Sequence, residues 1–166
     1  MQDFIVLIPS RMESLRLPGK PLKLIGNKTL IQRVSEQALK SKAKEVLVAT
    51  DSQEIISHCS VNNINSVLTK SDHLTGSDRL AEAAENLNLD DDQIIINVQG
   101  DEPFIDPDDI NNLHSLMEKT SSNMATLYSK LTAKDIQNTN VVKLWVNVDG
   151  SVSNFAREIR HIKNEA

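Results

Sequence analysis

FIVLIPSRMESLRLPGKPL, residues 4–22, is the stretch that decides the fold. Phe4-Ile5-Val6-Leu7-Ile8 is a continuous apolar run closed by Pro9, the pattern of a strand buried on both faces in a parallel sheet. A polar, basic segment follows and reads as a loop. Arg11, Ser14, Arg16 and Lys20 lie in it, and Pro18 and Gly19 restrict its shape. Four such groups in one loop can gather an anion. Each cation near a polyphosphate is worth up to about 4 kcal/mol at a surface-like dielectric, before desolvation is subtracted. A solvated basic loop is the plainer alternative.

Working outward, Leu30, Ile31, Val34 and Ala38 fall on one helical face while Gln32, Arg33, Glu36 and Gln37 face away. Strand, loop and helix then repeat. Val46-Leu47-Val48-Ala49 is a second strand, and Ser52 is the expected N-cap of a helix carrying Ile55, Ile56 and Cys59. Val67-Leu68 marks a short third strand. Leu80, Ala83, Ala84 and Leu87 mark an amphipathic helix entered from Asp72 to Asp78, for which Ser77 could serve as the cap. Ile94-Ile95-Ile96-Asn97-Val98 is a fourth apolar strand, and Asp106-Pro107 opens a helix through Ile110, Leu113 and Met117.

Strands alternating with helices at these spacings imply an α/β protein with a doubly wound, mostly parallel sheet. Ligands then gather at the carboxyl ends of the strands, in the segments after Ile8, Ala49, Leu68 and Val98. From about Met124 the pattern turns extended. Val141 to Val148, joined through Asp149-Gly150 to Ser151-Val152-Ser153, predicts an antiparallel ribbon near the C-terminus. Asp90-Asp91-Asp92 reads as a solvated loop. His58 and His114 read as surface residues, Met117 and Met124 as core candidates, and Glu102 as a structural carboxylate.

Composition narrows the function. A net charge of −5 disfavours a general nucleic-acid binder, which needs surplus Lys and Arg to displace counterions. Cys59 is the only cysteine, so no intrachain disulfide or cysteine-rich zinc site can form, and a reducing cytoplasm fits. No apolar stretch approaches the length of a membrane span. Neither GxxxxGK[ST] nor GxGxxG occurs, so phosphates must be gripped by side chains.

IPSRMESLRLPGKPL, Ile8 to Leu22, closely resembles the triphosphate-binding signature of sugar-nucleotide cytidylyltransferases. Ala49-Thr50-Asp51, SDHLTGSDRLAE (71–82) and above all NVQGDEPF (97–104) resemble the cytidylyltransferases of the acidic sugar 3-deoxy-manno-octulosonate (Kdo), in the same order and spacing. NVVKLWVNVDGSVSNFAR (140–157) extends the likeness over essentially the whole chain. The resemblance implies a Rossmann-like nucleotide-diphospho-sugar transferase fold, with residues 1–166 as one nucleotidyltransferase domain truncated at its C-terminus.

It also implies transfer of CMP from CTP to Kdo, with pyrophosphate released, for lipopolysaccharide synthesis. The alternatives are an inactive nucleotide-binding homologue, or a cytidylyltransferase for 8-amino-Kdo or another acidic sugar. The implied nucleotide contacts are Arg11, Ser14, Arg16, Lys20, His73, Thr75, Ser77 and Arg79, with Arg11, Lys20 and Asp101 catalytic. Asp101 would hold Mg2+, while Gln99 and Arg157 would hold the sugar. After Arg157 this chain departs from the family pattern. The implied partners are CTP and Kdo, and a second copy in a full-length homodimer, with no nucleic acid and no membrane.

Overall fold

Five strand residues with no polar interruption can satisfy their backbone only between neighbours on both sides, and the first strand occupies that central place. The computed structural model describes residues 2–13, 17–120 and 122–159. It comprises two compact units, Met1–Thr126 and Leu127–Ala166.

The first unit holds β1 (Phe4–Ser10), a 3-10 turn (Lys20–Leu22), the small strands β2 (Leu24–Ile25) and β3 (Lys28–Thr29), and α1 (Leu30–Ala38). Then come β4 (Glu45–Thr50), α2 (Gln53–Val61), β5 (Ser66–Leu68), α3 (Gly76–Asn86), β6 (Ile94–Asn97) and α4 (Pro107–Lys119). The central sheet runs β5-β4-β1-β6, and each neighbouring pair is parallel.

Alternation along β1 divides the core. Phe4, Val6 and Ile8 pack with Leu30, Ile31 and Val34 of α1, Ile55 and Cys59 of α2, and Ile110 of α4. Ile5 and Leu7 point the other way, onto Leu80 and Ala83 of α3. The sheet is therefore covered on both faces, as the apolar runs require. Helix starts follow their caps: Thr29 and Gln32 form a capping box on α1, Ser52 caps α2 and Asp106 caps α4.

Strand order decides where a ligand can sit. From β1 the chain builds outward through β4 and β5, then crosses the opposite face by α3 to place β6 on the other flank of β1. The reversal leaves a crevice at the carboxyl ends of β1 and β6, the usual binding place in open α/β sheets. Pro9 belongs to β1, paired with Ala49. The N–H it lacks would face β6, whose strand pairing with β1 ends at Leu7 and Asn97. There Gly100 comes so close that an added Cβ would lie 2.6 Å from the Pro9 carbonyl oxygen.

The second unit holds a two-stranded antiparallel ribbon of β7 (Lys143–Val146) and β8 (Val152–Ala156), turned at Gly150 with φ +85°. Lys143 is buried in it and donates to the carbonyls of Asn138 and Arg157.

Three expectations change. His114 is 5% exposed and stacks on Phe4, because α4 turns that residue toward the sheet, so it is not a surface side chain. His58 is half-buried and bonds to Thr29 Oγ1 at 2.9 Å. Met124 is 88% exposed, since it follows α4 in a segment with no regular element to turn it inward.

The approach of Gly100 to Pro9 yields a prediction. Gly100→Ala must push backbone against backbone, and overpacking of this kind costs about 1–3 kcal/mol. Urea unfolding should show a correspondingly lower midpoint, whereas an unchanged midpoint would mean that the two loops separate freely.

Candidate functional site

The crevice at the strand reversal is an open cleft of about 590 Å3, within the range of small-ligand pockets. Its described lining is Pro9, Ser10, Arg11, Glu13, Leu17, Lys20, Pro21, Gln99, Gly100 and Asp101. Two loops make it, one after β1 and one after β6. Gly19 shapes the first: at φ +66° it takes the left-handed conformation, and its N–H reaches the Met12 carbonyl at 3.0 Å. That closes the loop and starts the 3-10 turn at Lys20.

Lys20 and Asp101 meet in the cleft, Nζ donating to Oδ2 at 2.6 Å, with side chains 37% and 53% exposed. Eighty-one residues separate them in the chain. Arg11 is exposed beside them and has no ion-pair partner among the described residues. Gln99 is exposed at the same rim. Among the described residues the buried Ser10 hydroxyl has no hydrogen-bond partner. Burial, and then the Asp101 charge, hold the Glu102 carboxyl above its ordinary range. Ser14 and Arg16 lie outside the described residues.

Charge in the described lining balances, with Arg11 and Lys20 against Glu13 and Asp101. Asp101 is a hard oxygen donor suited to a divalent cation. Among the described residues, however, no group of three His, Cys, Asp or Glu could hold a metal ion. Magnesium fits such a site when phosphates and water complete its shell. Burial pushes the Cys59 thiol up to about 11, so it is protonated at neutral pH and offers no nucleophile.

The segment entering α3 is a second assembly. His73, Thr75, Ser77 and Arg79 do not line the cleft, but Gly76 lies against Pro9, its added Cβ falling 3.5 Å from the proline ring. Thr75 caps α3 in a capping box with Asp78, so the cap falls two residues earlier than Ser77. Ser77 is exposed in the first turn.

Arg79 is 3% exposed and fully engaged. It donates to Thr69 Oγ1 at 2.6 Å, to the Lys70 carbonyl at 3.2 Å and to Asp51 Oδ2 at 2.7 Å. Its guanidinium ties the carboxyl ends of β4 and β5 to α3. His73 Nε2 is held by Glu82 Oε2, which also accepts the Lys70 N–H at 2.9 Å. Asp51 and Glu82 carried no assigned role in the sequence reading. For Asp51 the partner lies 28 residues away, at Arg79, and for Glu82 the partners His73 and Lys70 precede the helix, so neither pairing is set by helix spacing.

Arg157 belongs to the second unit. There its Nη1 donates to the carbonyls of Thr139 at 3.2 Å and Asn140 at 3.3 Å.

Residues 5–165 match the family described as Cytidylyltransferase. Among curated relatives, the 3-deoxy-manno-octulosonate cytidylyltransferase of Pseudomonas fluorescens SBW25 is 48% identical over 158 residues, covering 93% of this chain and 61% of the relative. That of Polynucleobacter asymbioticus is 44% identical over 159 residues, covering 93% and 62%. The chain thus spans about three fifths of the length of these relatives. Among solved structures, a CMP:2-keto-3-deoxy-manno-octonic acid synthetase complexed with CTP superposes with a TM-score of 0.88 at 36% identity, over 98% of this chain and 68% of that one. A cytidylyltransferase of Leptospira borgpetersenii superposes at 0.62 and 26% identity, over 73% of this chain and 51% of that one.

The His73–Glu82 pair generates a pH prediction. The hydrogen bond from His73, then that from the Lys70 N–H, holds the Glu82 carboxyl below its ordinary range. A lowered acid contributes stability above its unfolded pKa and loses it as pH falls through the folded one. Glu82→Gln should therefore melt below wild type at neutral pH, with the gap closing as pH falls below the ordinary glutamate value of about 4.3 and through the lower folded value. A gap that stays constant would show that the ionised form is not what holds the segment.

Proposed function

This chain belongs to the cytidylyltransferase family, and from that premise we propose that it carries the CTP site of an enzyme that transfers CMP to Kdo. The anomeric hydroxyl oxygen of the sugar bonds to the α-phosphorus as it gives up its proton to solvent. The bond from that phosphorus to its bridging oxygen breaks, and pyrophosphate leaves with the electron pair. No covalent enzyme intermediate is needed. The observation that carries the reading is the convergence of Lys20 and Asp101 in one cleft at the strand reversal.

Lys20 and Arg11 would grip the triphosphate, joined by Ser14 and Arg16 from the same loop. These cations would neutralise oxygens that gain charge as the α-phosphorus is attacked. Asp101, with phosphates, would hold Mg2+, which when bound draws charge from the transferring group. Gln99 both donates and accepts, so it suits a sugar hydroxyl or carbonyl at the cleft rim.

Thr75, Ser77 and His73 would face the nucleoside from the start of α3, where free backbone N–H groups add donors. His73 has only Nδ1 left for this, because Glu82 takes Nε2. Arg79 would act through the scaffold. Arg157 remains the candidate for the sugar carboxylate, with Nε and Nη2 free of the carbonyls that hold Nη1.

Homology extends to relatives of greater length, so the proposed full enzyme includes sequence beyond the matched three fifths, and it would act as a cytoplasmic homodimer supplying lipopolysaccharide synthesis. No described helix is long and apolar enough to cross a membrane.

The test is to mix the protein with CTP, Mg2+ and, separately, Kdo, 8-amino-Kdo and sialic acid, and to measure pyrophosphate. Release with Kdo is expected, and release with sialic acid alone would overturn the reading. CTP binding without turnover would mean that the sugar step needs sequence outside this chain. Lys20→Ala or Arg11→Ala should remove a charge-assisted contact of about 1.5–3 kcal/mol and weaken CTP binding roughly ten- to a hundredfold. Unchanged binding would remove that residue from the triphosphate grip.

A further inference from the structure

We propose that the Lys20–Asp101 ion pair is a latch on the cleft, in which the carboxylate competes with a ligand's phosphates for the ammonium. Whatever engages Asp101, a divalent cation above all, then frees Lys20 and tightens polyphosphate binding. The inference rests on the CTP reading for its ligand, but not on turnover.

Three observations carry it. At 2.6 Å the Nζ of Lys20 is committed to Asp101, although both groups remain open to the cleft. An ammonium is a compact charge with rotatable donors, so a phosphate oxygen can replace the carboxylate without moving the backbone.

The second observation is the balance of charge in the described lining, two cations against two carboxylates. Arg11 has no ion-pair partner among the described residues, so Lys20 is the described cleft cation that a phosphate must win from an existing partner. The third is the seat of Asp101. Its neighbour Gly100 comes so close to β1 that an added Cβ would lie 2.6 Å from the Pro9 carbonyl oxygen, which brings the β6 loop up to the β1 loop where Lys20 waits. The latch then opens by an exchange of side-chain partners at that meeting point. Coupling of this kind is reciprocal: a cation at Asp101 raises affinity for polyphosphate by the factor by which polyphosphate raises affinity for the cation.

The experiment is a double-mutant cycle read by calorimetric binding. It uses the full chain in EDTA, titrated with CTP and, separately, with inorganic tripolyphosphate. Asp101→Asn should tighten binding about three- to fivefold, the scale of a half-exposed ion pair. In a Lys20→Met background the same substitution should have no effect. Simple repulsion between Asp101 and phosphate would instead tighten binding equally in both backgrounds, which overturns the latch and leaves the CTP reading standing.

Added Mg2+ should erase the advantage of Asp101→Asn, and a persistent advantage counts against the proposal. Binding of tripolyphosphate without CTP would remove the nucleotide reading while still measuring the latch, and binding of neither probe overturns both. Thermal melts matched to wild type separate these effects from loss of fold.

Discussion

Everything in the cleft depends on the contact between the ends of two strands. β1 and β6 run parallel as neighbours only because the chain reverses its winding around β1, and their exits then share one crevice. Gly100 passes so close to the Pro9 carbonyl that no side chain fits between them. That approach brings Asp101 to Lys20 across 81 residues of sequence. A basic loop alone would be a diffuse surface charge. Held against a carboxylate at the end of the sheet, it becomes one wall of a cleft in which Arg11, Lys20 and Asp101 come together.

The two loops that resemble a cytidine site divide the labour differently from the sequence reading. The charged and amide groups of the cleft, Arg11, Lys20, Gln99 and Asp101, are at least partly exposed and only partly committed. Around α3 most polar groups are already spent on one another: Arg79 on Asp51, Thr69 and Lys70, and Glu82 on His73 and Lys70. A buried guanidinium with three partners is expensive to disturb and poorly placed to bind a ligand. Its service is to hold the carboxyl ends of β4 and β5 in register with the helix whose first turn touches Pro9.

How much was legible follows from how each feature is encoded. The four parallel strands and four helices could be read because apolar runs and three-four spacing are local, and Ser52 and Asp106 sit where caps belong. The β2–β3 hairpin and the turn at Lys20 could not, since strands of two residues have no periodicity. Thr75 rather than Ser77 caps α3 because Asp78 stands three residues after Thr75 and closes a reciprocal capping box, a spacing the sequence already carried, whereas Leu80 stands three after Ser77. His114 lies on a face whose burial depends on how α4 docks. That Lys20 and Asp101 belong to one site came from a family resemblance and from the rule for strand ends, whereas their ion pair did not. Its distance, and the role of Asp51 as an anchor, are properties of the folded chain.

The account stands or falls on whether one polyphosphate occupies the space between the β1 and β6 loops. Amide chemical shifts of the labelled protein, followed during titration with CTP, test this residue by residue. The largest perturbations should fall on Arg11, Gly19, Lys20, Gln99, Gly100 and Asp101, with those of the Gly19 and Gly100 amides saturating together. Shifts confined to another part of the sheet, or saturation of the two loops at different concentrations, would contradict a shared site.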